Sequence, residues 1–200
     1  MISNFIKIIE NASIQEVNDL GKRKNPTSTD ISVSNSIIDK LLQSKSINTI
    51  DGYNVKQIQN ISTKTIGLEK NQEIIGYFSY KEITVCHLYS AVEEFDIFVK
   101  NEERGKGIGK LLIDAILLDE DIVLSDSSHY GDNIQMWKSL INRGKYNFYL
   151  YYNDKLYSTN DPLDYWKNDR GAIQILISKL PLTSTPLTRQ ILSDIHSGII

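Results

Sequence analysis

Arg104-Gly105-Lys106-Gly107-Ile108-Gly109-Lys110-Leu111-Leu112 is the stretch on which the fold turns. It follows a strand-like run, Phe95-Asp96-Ile97-Phe98-Val99, and opens a periodic helix with Ile108, Leu111, Leu112, Ala115 and Ile116 on one face. Three glycines ahead of a helix let the backbone turn tightly and come close to a bound anion. The first N–H groups of a helix lack intrahelical acceptors, and the macrodipole adds partial positive charge at that end. Arg104, Lys106 and Lys110 put side-chain cations beside them. Physically, this is a phosphate cradle.

Spacing decides which cradle. A Walker loop needs Gly-x-x-x-x-Gly-Lys-Ser/Thr, but counting back from Gly109-Lys110 the first glycine falls at Arg104, and Leu111 replaces the hydroxyl. A dinucleotide Gly-x-Gly-x-x-Gly also fails, because Lys110 follows Gly105-x-Gly107 and Leu112 follows Gly107-x-Gly109. What fits is Arg-x-x-Gly-x-Gly after a strand reading Ile-x-Val. This resembles motif A of the GNAT superfamily of N-acetyltransferases, closely from Phe95 to Leu118 and more loosely from about residue 3 to residue 179. The resemblance implies an α/β (α+β) fold with a mixed, mostly antiparallel central sheet flanked by helices. It implies transfer of an acetyl or other acyl group from acetyl-CoA to an amine by direct attack. Backbone groups around Ile97, Phe98 and Val99 would then hold the pantetheine and the acetyl carbonyl. Arg104, Gly105, Lys106, Gly107, Ile108, Gly109 and Lys110 would hold the pyrophosphate.

Composition narrows the field. The chain has 200 residues, 40% hydrophobic and 24% charged, which fits one globular domain with room for a small appendage. The expected division is an acyltransferase domain over 1–180 and a C-terminal amphipathic helical tail over 181–200. A net charge of −3 argues against a broad nucleic-acid footprint. Cys86 is the only cysteine, and His87, His129 and His196 show no ligand spacing, so neither a disulfide nor a zinc site is expected. No run approaches the roughly 18 to 20 apolar residues of a membrane span, and residues 1–10 lack a basic signal-peptide region. The expectation is a cytoplasmic protein that does not enter membranes. Its partner would be an amine-bearing acceptor, small molecule or protein, and a homodimer is compatible with the sequence.

Along the chain, Phe5 to Ile9 reads as a strand, and Ser13-Ile14-Gln15-Glu16 reads as a capping box for a short helix. Residues 21–33 read as a loop and Asn35 to Gln43 as a helix. Three strands follow at Tyr53 to Ile58, Thr63 to Leu68 and Glu73 to Tyr80, the last two joined by Glu69-Lys70-Asn71-Gln72. Ser90 to Lys100 gives the long strand before the glycine loop, and Ile122-Val123-Leu124 a short buried one after its helix. Asp132 to Asn142 reads as a helix with Gly144 at its C′ position. Tyr146 to Tyr152 and Ile173 to Ile177 complete the strands, and Ser184-Thr185-Pro186 marks a terminal helix. The long connection 153–171 carries Tyr157, Tyr165 and Trp166, and is expected to form a lid over the acceptor.

Acetyl transfer needs a base for the amine and an acid for the thiolate. Strict alternation puts Glu93, Phe95, Ile97 and Val99 on one face of their strand, with Glu94, Asp96 and Phe98 on the other. Glu93 lies close to where the histone-acetylating members of the superfamily carry a glutamate base, with Glu94 and Asp96 as alternatives. The family's Asn-x-x-Ala followed by Tyr is altered here: Asn133 and Gly144 keep the spacing, but Met136 replaces the alanine and Leu140 the tyrosine. Tyr130 or Tyr146 are the candidate acids, with water as the substitute. Ser125-Asp126-Ser127-Ser128-His129 lacks a nucleophile elbow and is read as a helix approach rather than a hydrolase triad. Cys86 reads as a packed thiol and Trp137 as core. The alternatives to a transferase are a GNAT-fold protein that binds CoA or a partner without catalysis, and a nucleic-acid-modifying enzyme on this fold.

Overall fold

Among the described residues, four hairpins turn on consecutive residues with left-handed backbones: Asp51–Gly52, Asn71–Gln72, Cys86–His87 and Asn153–Asp154. Such turns match the right-handed twist of the strands they join. The computed structural model describes residues 28–126, 132–160 and 173–197. Its first half comprises α1 (Ser28–Gln43), β1 (Ser46–Ile50), β2 (Tyr53–Gln59), β3 (Lys64–Lys70), β4 (Glu73–Val85), β5 (Tyr89–Val99) and α2 (Ile108–Asp119). Its second half comprises β6 (Ile122–Leu124), α3 (Asp132–Asn142), β7 (Asn147–Tyr152), β8 (Lys155–Ser158), β9 (Gln174–Ser178), β10 (Thr185–Pro186) and α4 (Arg189–His196).

The strands form one ten-stranded sheet in the order β1-β2-β3-β4-β5-β6-β9-β7-β8-β10. Pairing is antiparallel except for β5 with β6 and β8 with β10. The β5–β6 pair is parallel because α2 crosses between them. This is the mixed, mostly antiparallel, helix-flanked sheet that the resemblance implies. No helix among the described residues is long and apolar enough to cross a membrane.

Helices pack on both faces. On one, Ile108, Leu112 and Ile116 of α2 and Trp137 and Leu140 of α3 meet Ile66, Phe78, Val92, Val123 and Ile175 of the sheet. Ile195 of α4 joins the same cluster. On the other, Leu41 of α1 packs with Ile74, Tyr77 and Phe98. Gly76 on β4 lets α2 approach: a Cβ there would lie 2.9 Å from the Phe98 carbonyl oxygen and 3.0 Å from Ile108 Cγ2. Since the nearer obstacle is backbone, Gly76→Ala is expected to destabilise the fold by about 1–3 kcal/mol through overpacking. Urea unfolding checks this, and an unchanged midpoint would mean that α2 has slack over β4.

Several sequence expectations need correction. β1 was not anticipated, although Asp51-Gly52 is a strong hairpin signal. α1 begins at Ser28, inside the expected loop. The link after β3 shrinks to Asn71–Gln72 because β3 runs on to Lys70. The long connection is interrupted by β8, whose Leu156 and Tyr157 are buried in the sheet. The terminal helix starts at Arg189, where Thr188 Oγ1 accepts the Ile191 N–H at 3.2 Å, while Thr185 and Pro186 pair with β8. Proline fits there because only the end of a sheet tolerates the missing donor. The expected strand at Phe5 to Ile9, the capping box at Ser13, and Tyr165 and Trp166 of the proposed lid lie outside the described residues.

Candidate functional site

β5 is paired with β4 along its length, but with β6 only at Val92–Val123 and Glu93–Leu124. Beyond that point the two strands part. No described strand pairs with the edge from Phe95 to Val99 on the β6 side. An unpaired edge offers backbone donors and acceptors to an extended ligand, as β-augmentation does. Ile97, Phe98 and Val99, expected to hold the pantetheine, all lie on this stretch.

The glycine loop lies at the far end of that edge. Arg104 Nε donates to the Val99 carbonyl at 3.3 Å, which ties the loop to the end of β5. Gly105 and Gly107 have φ of +76° and +87°, a left-handed backbone that side chains resist. Gly107 is the N-cap of α2 and has no side chain to cap it. Its carbonyl accepts from Lys110 and Leu111, whereas no carbonyl among the described residues accepts from the Ile108 or Gly109 N–H. Those two donors are what a helix N-terminus presents to an anion. Gly109 has a different task, since a Cβ there would lie 2.7 Å from Met136 Sδ, so it lets α3 close over α2. The cations are partly anchored. Lys110 Nζ reaches Ser139 Oγ at 2.9 Å, and Lys106 pairs with Glu103 at 3.1 Å.

A bulge reorders the three acidic candidates. Asp96 pairs with Ser79 and Glu94 with Tyr80, so Phe95 is the extra residue. Alternation therefore fails across it. Ala91 and Val92 belong to cores on opposite faces, and Ile97 lies in the same core as Val92. Glu94 lies on the Val92 side, where Trp137 Nε1 donates to it at 3.3 Å. Glu93 is consequently on the face opposite Ile97, contrary to the expectation from alternation. It accepts from Gln174 at 2.9 Å and pairs with Lys81 at 2.7 Å.

Asp96 is on that opposite face too, and is 5% exposed. Burial pushes its carboxyl up to about 7, helped by the charge of Asp126 just after β6; the Tyr77 hydroxyl and the Ile97 N–H pull the other way. A carboxylate that exchanges its proton near neutrality can take one from an ammonium. Sequence reasoning named Asp96 only as an alternative, because burial at a bulge is not visible in a linear pattern.

The other candidates are accounted for by their contacts. Tyr146 donates its hydroxyl to Asp114 of α2, which also meets Arg143 at 2.8 Å and Lys145 at 3.1 Å. Burial alone would raise the Asp114 carboxyl, but these three partners outweigh it and hold it below its ordinary value. Tyr130 and His129 lie outside the described residues. Leu140 and Trp137 are wholly buried. Ser125 Oγ accepts the Ile175 N–H at 3.0 Å, a structural contact between β6 and β9. Burial pushes the Cys86 thiol up, which fits a packed cysteine rather than a nucleophile.

The parted parallel pair beside a glycine-rich helix start, in a mixed and mostly antiparallel sheet, is a GNAT-like arrangement. Residues 40–123, from the end of α1 into β6, match the sequence model of the acetyltransferase (GNAT) family. A comparison with curated proteins finds no match. Among solved structures, the chain is similar to a protein described as a GNAT-family acetyltransferase from Desulfovibrio desulfuricans, with 11% identity, 85% of this chain and 90% of that one covered, and a TM-score of 0.42. It is similar to the GNAT domain of a protein named PAT from S. lividans (10% identity, 86% and 82% covered, TM-score 0.41). It is also similar to a GNAT-family acetyltransferase from Elizabethkingia anophelis with acetyl-CoA bound (15% identity, 64% and 97% covered, TM-score 0.39). None of these likenesses assigns a residue.

Proposed function

We propose that this protein is an acetyl-CoA-dependent N-acetyltransferase that moves the acetyl group to an amine by direct attack. The observation that carries this reading is the open β5 edge running into the cationic start of α2. Acetyl-CoA supplies the activated thioester. The backbone of Ile97 to Val99 binds the extended pantetheine arm by edge pairing, and the Ile108 and Gly109 N–H groups bind the pyrophosphate, with Arg104, Lys106 and Lys110 adding positive charge.

Asp96 accepts the proton of the incoming ammonium, directly or through one water, so that a neutral amine attacks. Glu93 is the less suited base, because Lys81 and Gln174 already engage its carboxylate oxygens. Tyr146 is committed to Asp114, so water is the simplest proton source for the thiolate. Cytoplasmic location and an amine acceptor, small molecule or protein, follow as parts of the same reading.

Two measurements test it. Calorimetry is expected to register acetyl-CoA binding by the full chain. Thiol release with a panel of primary amines is expected to exceed the amine-free rate. Binding without release from any amine would favour a non-catalytic CoA-binding protein, a reading supported by Leu140 in the place of the family's tyrosine. Absence of both would overturn the proposal.

A further inference from the structure

β5 and β6 part just past Glu93, and a side chain from a third strand lies across the root of the opening between them. Gln174, the first residue of β9, donates from Nε2 to Glu93 Oε1 at 2.9 Å and to the Ser125 carbonyl at 2.5 Å. A carboxylate and a carbonyl both accept, so the amide must present its nitrogen to them, and both of its protons are committed. Neither anchor is loose. Lys81 of β4 holds Glu93 by its other oxygen, with Nζ 2.7 Å from Oε2. Ser125 is wholly buried; its N–H donates to the Ile175 carbonyl at 2.8 Å, and its Oγ accepts the Ile175 N–H at 3.0 Å. Those two bonds draw the end of β6 along β9 and away from β5, so the opening has a fixed root.

We infer that Gln174 is a specificity-determining residue: its tethered amide stops the acyl group of the thioester at the root of the opening and limits the donor to short acyl chains. This deepens the proposed acetyl transfer and rests on it. With the pyrophosphate at the start of α2 and the pantetheine along Val99 to Ile97, the arm runs back along β5. The thioester is then the end nearest Glu93 and Gln174. An acetyl group ends short of the amide, whereas a longer chain meets it. The amide cannot swing aside without leaving a carboxylate and a buried strand end short of a donor. Nor are these side-chain bonds what keeps β9 in the sheet, because the Gln174 backbone already pairs with Tyr151 of β7.

Calorimetry of the full chain with free CoA, acetyl-CoA and butyryl-CoA tests this without knowledge of the acceptor. The wild type is expected to bind butyryl-CoA about 10- to 200-fold more weakly than acetyl-CoA, the range over which a pocket discriminates by a methylene. Gln174→Ala removes the amide and keeps the backbone pairing, so it is expected to bind the two thioesters within about 3-fold of each other and to keep its affinity for free CoA. A merely structural Gln174 would weaken all three ligands alike and leave their ratios as in the wild type; that result overturns the inference. Gln174→Asn, shorter by a methylene, serves if Gln174→Ala does not fold, and in it too an unchanged ratio overturns the inference. A wild type that binds butyryl-CoA as tightly as acetyl-CoA overturns the inference alone. A wild type that binds none of the three refutes the acetyltransferase reading, and the inference falls with it.

Discussion

Gly107→Glu is expected to yield a folded protein that no longer binds acetyl-CoA. Gly107 has φ +87°, and a Cβ at that position would come no closer than 3.5 Å to Lys110 Cε and 4.0 Å to its Nζ. The new side chain therefore has room. Its cost to folding is the left-handed backbone alone, on the order of 1–2 kcal/mol. Its cost to binding is far greater, because the carboxylate would stand at the start of α2, where the Ile108 and Gly109 N–H groups await an anion. It would also pair with Lys110 and remove a cation from the site. Calorimetry on Gly107→Glu reads this directly. Gly107→Asn is the control, since asparagine tolerates the left-handed conformation and adds no charge. If Gly107→Glu is folded and its affinity is unchanged, the pyrophosphate does not bind here.

The glycine loop was legible because its signal is local: three glycines, three cations and a helical period within a dozen residues. The span of α3 was legible for the same reason, as helical periodicity ran unbroken through it. The roles of the three glycines were not separable in sequence. Gly105 and Gly107 serve the backbone, whereas Gly109 serves Met136, 27 positions later, across a helix contact that has no linear signature. The same limit explains Tyr146. Its place in the sequence makes it a candidate acid, but α2 brings Asp114 to it from 32 residues away. The sequence places the start of the terminal helix too early because Pro186 fits helix position N1 as well as a short end strand. Only the pairing partner, β8, decides between them.

The bulge at Phe95 is the instructive failure. Alternation assumes one residue per pairing step, and a single inserted residue exchanges the faces of everything beyond it. That assumption aligns Glu93 with Ile97, and the bulge separates them. Bulges gather beside functional sites because they end pairing and re-aim side chains. Here the bulge lies where β5 leaves β6, and it puts Glu94 and Asp96 on opposite faces although they are two residues apart.

The sharpest consequence of that arrangement concerns Asp96→Asn, which is expected to lower turnover at neutral pH by about two to four orders of magnitude, the usual scale for loss of a general base. Acetyl-CoA affinity should persist, because the side chain lies on the sheet face away from α2 and the backbone edge is intact. Stability should move in the opposite direction from activity. The folded-state pKa of Asp96, about 7, is raised above the unfolded carboxyl value. Its contribution to stability is therefore full below about pH 4, declines as pH rises, and is gone above about 7. An asparagine carries no charge to bury, so the stability of Asp96→Asn relative to wild type should rise across that window and level off above it. Thermal unfolding at pH 5 and pH 8 measures this. A gain at pH 8 together with the loss of turnover identifies a carboxylate kept in a costly site for its chemistry. If turnover survives and Glu93→Gln carries the loss instead, the base is Glu93, held by Lys81 and Gln174, and Asp96 is part of the core.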